Sequence, residues 1–193
     1  MTALTIPQGF TVSPAQFDQL ALANDTVRLE LTQEGELIIM PPTGGSAGNQ
    51  NFELYIDLGN WNRRTRLGKA FDSSTIFILP NGARRSPDVA WVRLERWNSL
   101  SPQEQQGFPP ITPDFVIELV SPSDLTNQRY VDLQAKMREY IENGAQLGWL
   151  IEPKQKTVEI YRPAQAVEVL KQPATLSGEA VLPRFVLNLR GFF

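Results

Sequence analysis

The 193 residues include no cysteine and no histidine, so any chemistry must come from carboxylates, lysine or tyrosine. Disulfides, zinc-thiolate centres, cysteine nucleophiles, Ser-His-Asp arrangements and histidine-ligated metals are thereby excluded. The acid that stands out is Glu118, because its neighbours Phe115, Val116, Ile117, Leu119 and Val120 read as a strand apolar on both faces, central in a covered sheet. A carboxylate there is expensive unless a metal, a lysine or arginine, or a strand end open to water compensates it. A second acid, Asp88, lies in Ser86-Pro87-Asp88-Val89-Ala90-Trp91-Val92, where Asp88, Ala90 and Val92 share one face of a strand. Should the two strands pair, Asp88 and Glu118 come within reach of one divalent ion. Magnesium, or manganese in its place, accepts two carboxylates plus a main-chain carbonyl such as that of Leu119. Lys136 sits at the edge of the helical stripe Leu133, Met137, Tyr140 and Ile141, and can bring a positive donor to the same place for an attacking water and a charged phosphorane.

The elements that must carry these groups follow from pattern. Ser13-Pro14 predicts the start of a short surface helix with Phe17, Leu20 and Ala21 at helical spacing. Residues 27–31 and 36–40 predict a hairpin about Glu34-Gly35. The glycine-rich segment 41–48 lacks a Walker lysine and dinucleotide spacing, so it reads as a connection into a helix within 49–66, buried along much of its circumference through Phe52, Leu54, Tyr55, Ile56, Leu58 and Trp61. One strand is expected over 69–79 and a second over 86–92, with a turn at Pro80-Asn81-Gly82. Residues 94–112 read as a loop with one helical turn near Ser101-Pro102. After the Glu118 strand, Ser121-Pro122-Ser123-Asp124 predicts a stop and 127–142 a helix closed by Asn143-Gly144. Residues 147–151 and 157–161 form a second hairpin, and 166–170 and 181–189 read as peripheral strands joined by a Ser177-Gly178 turn. The order predicts an α/β (α+β) mixed sheet flanked by helices, in one domain over 1–193.

Several of these stretches, in this order, resemble a known family. Ser86-Pro87-Asp88-Val89, the segment PDFVIELVSPS over 113–123, the helix around Lys136 to Tyr140, GWLIEP over 148–153 and VEIY over 158–161 are similar to the bacterial restriction endonuclease family called Uma-two, within the PD-(D/E)XK nuclease superfamily. The resemblance implies a restriction-endonuclease-like core, association in pairs as a homodimer, and magnesium-dependent hydrolysis of DNA phosphodiesters. Asp88 and Glu118 match its metal ligands. The superfamily lysine two residues after the second acid is here Val120, and Lys136 fits the substitution from the following helix that some relatives show. Family members often carry a histidine after the glycine-rich loop, where this chain has Asn49-Gln50-Asn51. For the auxiliary acid the resemblance implies, Glu30, Glu36 and Glu53 compete.

Other readings stand beside these. Glu118 could be a buried acid paired with Arg129 or Arg138, Asp88 could open a strand, and Lys136 could lay its methylenes over the core with its ammonium in water. Arg63, Arg64, Arg66, Arg84 and Arg85 could grip phosphates or be solvated. The net charge of −3 supplies no global attraction for nucleic acid, which leaves a catalytically inactive binding or regulatory module as the alternative to an enzyme. No apolar run is long enough to cross a bilayer and the opening MTALTIPQGF has no leader pattern, so a cytoplasmic protein is expected.

Overall fold

The computed structural model describes residues 9–121 and 127–193. The expected stop at Pro122-Ser123-Asp124 and the first eight residues of the opening segment lie outside them. In chain order the elements are α1 (Pro14–Ala23), β1 (Arg28–Leu31), β2 (Leu37–Met40), α2 (Gly45–Thr65), β3 (Gly68–Asp72), β4 (Phe77–Ile78), β5 (Arg84–Arg85), β6 (Val89–Arg93), α3 (Leu94–Asn98), α4 (Pro102–Gln106), β7 (Phe115–Leu119), α5 (Asn127–Glu142), β8 (Leu147–Glu152), β9 (Thr157–Tyr161), β10 (Glu168–Lys171), β11 (Thr175–Ser177) and β12 (Val186–Asn188).

Six strands form a mixed sheet in the order β10-β9-β8-β7-β6-β3. The β7–β8 pair is parallel, with α5 as its crossover, and the other neighbours are antiparallel. β7 is buried along its whole length, as its two-sided apolar run requires. One sheet face packs Val89, Trp91, Phe115, Ile117, Trp149 and Ile151 against α2 and the C-terminal β11–β12 ribbon. The other packs Ala90, Val116, Leu150 and Tyr161 against Met137 and Tyr140 of α5. Gly148 permits that approach, since a Cβ there would stand 2.5 Å from the Met137 Cε. A smaller sheet, β2-β1-β5-β4, turns Leu29 and Leu31 toward Phe17 and Ala21 of α1.

Five expectations change. The single strand over 69–79 is two, in different sheets, because Asp72 accepts hydrogen bonds from the Ser74 amide at 3.1 Å and hydroxyl at 2.7 Å and ends β3 in a turn. Helix α2 begins at Gly45, inside the segment expected to be a loop, with Ala47 docked in the core. It buries one side only: Leu54, Leu58 and Trp61 are covered while Phe52 is 59% exposed. Finally, the strand over 166–170 pairs with β9, and the C-terminal strand pairs instead with Thr175–Ser177. In 94–112 there are two short helices, the second with Ser101 and Glu104 in a capping box.

Candidate active site

The Val89–Ile117 and Ala90–Val116 register of β6 and β7, continued by one residue, sets Asp88 opposite Glu118 on the α5 face. The strands of the two acids are therefore neighbours. The Leu119 amide donates to Asp88 Oδ2 at 2.9 Å, which fastens Asp88 to the end of the Glu118 strand. Asp88 keeps 15% of its side chain exposed, whereas Glu118 keeps 3%, so the pair is reached from the Asp88 side.

Lys136 is buried and lies between two carboxylates, its Nζ 2.7 Å from Glu118 Oε1 and 2.7 Å from Glu30 Oε1. It enters from α5, while Val120, two residues beyond Glu118, is packed in the core. Of the three competing acids, Glu30 is the one the fold brings here. Alternation in β1 turns Leu29 and Leu31 to α1 and Glu30 to the opposite side, where the Ser86 amide donates to it at 2.9 Å and Arg85 Nη1 at 3.2 Å. Glu36 and Glu53 take no part in these contacts among the described residues. The partner of Glu118 is thus lysine rather than Arg129 or Arg138, joined by the Tyr140 hydroxyl, which donates to Glu118 Oε1 at 3.1 Å.

Arg84 and Arg85 do not form a phosphate-gripping surface. Arg84 is spent on both oxygens of Asp18 at 3.2 Å, and Arg85 on Glu30 and on Glu139 at 2.6 Å. Arg63, Arg64 and Arg66 are exposed at the end of α2. Arg28, which was not among the expected site residues, has its Nη2 3.9 Å from Asp88 Oδ1. Its signal was its place two residues before Glu30, on the same side of β1.

The electrostatics separate the three acids. Burial raises the Glu118 carboxyl, and the Asp88 and Glu30 charges add to this against the opposing pull of Lys136, so it is pushed up to about 7. Asp88 is raised too, chiefly by burial, with the Leu119 amide acting the other way. Glu30 meets the same burial, but Lys136 and Arg85 overcome it and hold its carboxyl below the ordinary value. Burial works against the Lys136 ammonium, yet Glu118 and Glu30 raise it above the usual lysine range. Lys136 is therefore a hydrogen-bond donor at neutral pH and not a proton acceptor.

Two facing acids, both raised chiefly by burial, form an oxygen-only donor set with access to water. That set fits a hard divalent cation. Among the described residues no group of three or more acids is arranged as a complete metal cage. A cation here would complete its shell with main-chain, water or substrate oxygens.

Among solved structures, the chain is similar to the crystal structure of "a putative nuclease belonging to DUF820" from Anabaena variabilis, with a TM-score of 0.71 and 24% identity over 86% of this chain and 89% of that one. At that identity the likeness carries the fold, a mixed sheet flanked by helices. No curated protein matches the chain. A family model, Uma2, described as "Putative restriction endonuclease", matches residues 14–190, from the first residue of α1 to beyond β12 and through every strand described above. The chain belongs to the Uma2 family.

Proposed function

We propose that the protein is a magnesium-dependent endonuclease that hydrolyses DNA phosphodiesters. The observation that carries this reading is the placement of Asp88 opposite Glu118 with the Lys136 ammonium 2.7 Å from the latter. Asp88 and Glu118 would hold the cation, with the Leu119 carbonyl as a further oxygen ligand. When bound, the ion supplies Lewis-acid polarisation of a phosphoryl oxygen and lowers the pKa of a bound water. Lys136, as a fixed ammonium, orients the attacking water and offsets negative charge growing on phosphorus. Glu30 acts through Lys136: its two-point hold by Ser86 and Arg85 keeps the lysine aimed at Glu118. Magnesium (or manganese) and a homodimer belong to the same proposal, the homodimer resting on the family resemblance alone; a cytoplasmic setting is the expectation drawn from the sequence pattern.

A second reading is a nuclease-fold module that binds nucleic acid without cutting it. It is favoured by Val120 in the usual lysine position and by the close hold of both carboxylates on Lys136. Plasmid cleavage in magnesium or manganese by the wild type, Asp88→Ala, Glu118→Ala and Lys136→Ala separates the two. Cleavage by the wild type alone supports the enzyme. Equal cleavage by all four means a contaminant, and binding without cleavage favours the module.

A further inference from the structure

The guanidinium groups of the buried Arg84 and Arg85 and of the partly exposed Arg96 are spent on acceptors. Arg84 is held by Asp18 and the Gly82 carbonyl, Arg85 by Glu30 and Glu139, and Arg96 by Asp114 and the Thr112 carbonyl. Arg28 differs. Its Nε and Nη2 are buried and have no hydrogen-bond partner among the described residues. The Asp88 Oδ1, 3.9 Å from Nη2, is near enough to feel the charge and too far to accept a hydrogen bond. Buried donors left unmade cost about 1–3 kcal/mol each, so such a group in a native fold calls for an acceptor that arrives later.

The position is held rather than loose. β1 is anchored on one side by Leu29 and Leu31 in the α1 core, and on the other by Glu30 in the Lys136 and Arg85 network. Arg28 lies two residues before Glu30 on that second side and keeps 28% of its side chain exposed, so the residue borders solvent while Nε and Nη2 themselves are covered. It stands beside the more exposed of the two facing acids. An acceptor entering there must carry negative charge, present oxygen to the Nε and Nη2 edge of a planar fork, and tolerate a carboxylate neighbour through a shared cation. A phosphoryl group has these properties.

We propose that Arg28 grips a non-bridging oxygen of the phosphoryl group presented to Asp88 and Glu118. Naming that group as part of a DNA backbone rests on the nuclease reading; the grip itself rests on the unspent guanidinium. From β1, Arg28 thus supplies a positive contact where Arg84 and Arg85 are spent on ion pairs.

The test is an anisotropy titration of a short DNA duplex, in calcium so that bound duplex persists, with the wild type, Arg28→Ala and Arg28→Lys. Urea melts confirm that each variant is folded, and manganese calorimetry runs alongside. Arg28→Ala is expected to weaken duplex binding roughly tenfold and to reduce the log–log salt slope by about one, with Arg28→Lys between it and the wild type. Manganese affinity does not fall. Unchanged duplex affinity overturns the proposal, as does an equal fall in duplex and manganese affinity, which would make Arg28 only a support for the placement of Asp88. If the wild type binds no duplex, thermal protection by inorganic phosphate with manganese decides. Protection lost in Arg28→Ala keeps the grip while the DNA reading falls, and no protection of the wild type sinks the grip as well.

Discussion

Glu118 and Lys136 set the behaviour of the site at the scale of single residues. Burial pushes the Glu118 carboxyl up to about 7 from its ordinary 4.5, so between those values the folded state holds a proton that the unfolded chain has released. Stability therefore falls as pH rises through that window and levels above it, with a slope of at most about 1.4 kcal/mol per pH unit from this one group. Glu30 has the opposite shift: its contribution is present above 4.5 and is lost only in more acidic solution. Urea midpoints measured from pH 5 to 8 should show the decline in the wild type and a flatter line in Glu118→Gln; parallel lines would mean that Glu118 is ionised throughout. Lys136→Met removes the cation common to both carboxylates, and the expected loss is roughly 3–5 kcal/mol. A loss below about 1 kcal/mol would show that water screens the pair. The same variant, assayed where it remains folded, should cut roughly 10²–10³-fold more slowly than the wild type.

At the scale of elements, the site depends on how α5 lies on the sheet. Two devices hold it: Gly148, over which Met137 sits, and Glu159 of β9, which accepts hydrogen bonds from Tyr130 at 2.9 Å and Gln134 at 2.7 Å on α5. Tyr161 of β9 donates to the other Glu159 oxygen at 2.5 Å. Glu159 lies in the same cross-strand row as Glu118, with Leu150 between them, so the sheet fixes α5 two strands away from Glu118. Gly148→Ala pushes the added methyl against Met137 and should lower stability by roughly 1–3 kcal/mol. Activity should fall further than stability, since Lys136 is one residue before Met137. Calorimetric melting together with the plasmid assay checks this, and an unchanged melt with full activity would show that the Met137 side chain has room to move.

For the molecule as a whole, a net charge of −3 gives DNA no general reason to approach. On the proposed reading the carboxylates of the site add to that repulsion, and a divalent cation bound there would offset it. Duplex binding should consequently require magnesium, manganese or calcium, and chelation should release the DNA. Manganese itself should raise the unfolding free energy by about 2.7 kcal/mol at a hundredfold excess over its dissociation constant. That increment should vanish in Asp88→Ala and Glu118→Ala; protection that survives in both would place the ion elsewhere. Among the described residues no helix is long and apolar enough to cross a membrane.

The sequence alone determined the elements whose signals are local. The Ser13-Pro14 helix start, the hairpin at Glu34-Gly35, the fully buried Glu118 strand and the helix over 127–142 could all be read from caps, turns and periodicity. It also singled out Asp88 and Glu118, because an acid in an apolar strand is costly at any position. Local signals misled where distant packing decided the outcome. Gly45 to Gly48 have poor helix propensity, yet Ala47 is drawn into the core and carries the turn with it. Only the tertiary structure selected Glu30 over Glu36 and Glu53, withdrew Arg84 and Arg85 into ion pairs, and left Arg28 unspent beside Asp88. The physical reason is that Coulomb and hydrogen-bond energies depend on distances of a few ångströms between groups as far apart in the chain as Glu30 and Lys136, and no periodicity along the chain encodes those distances.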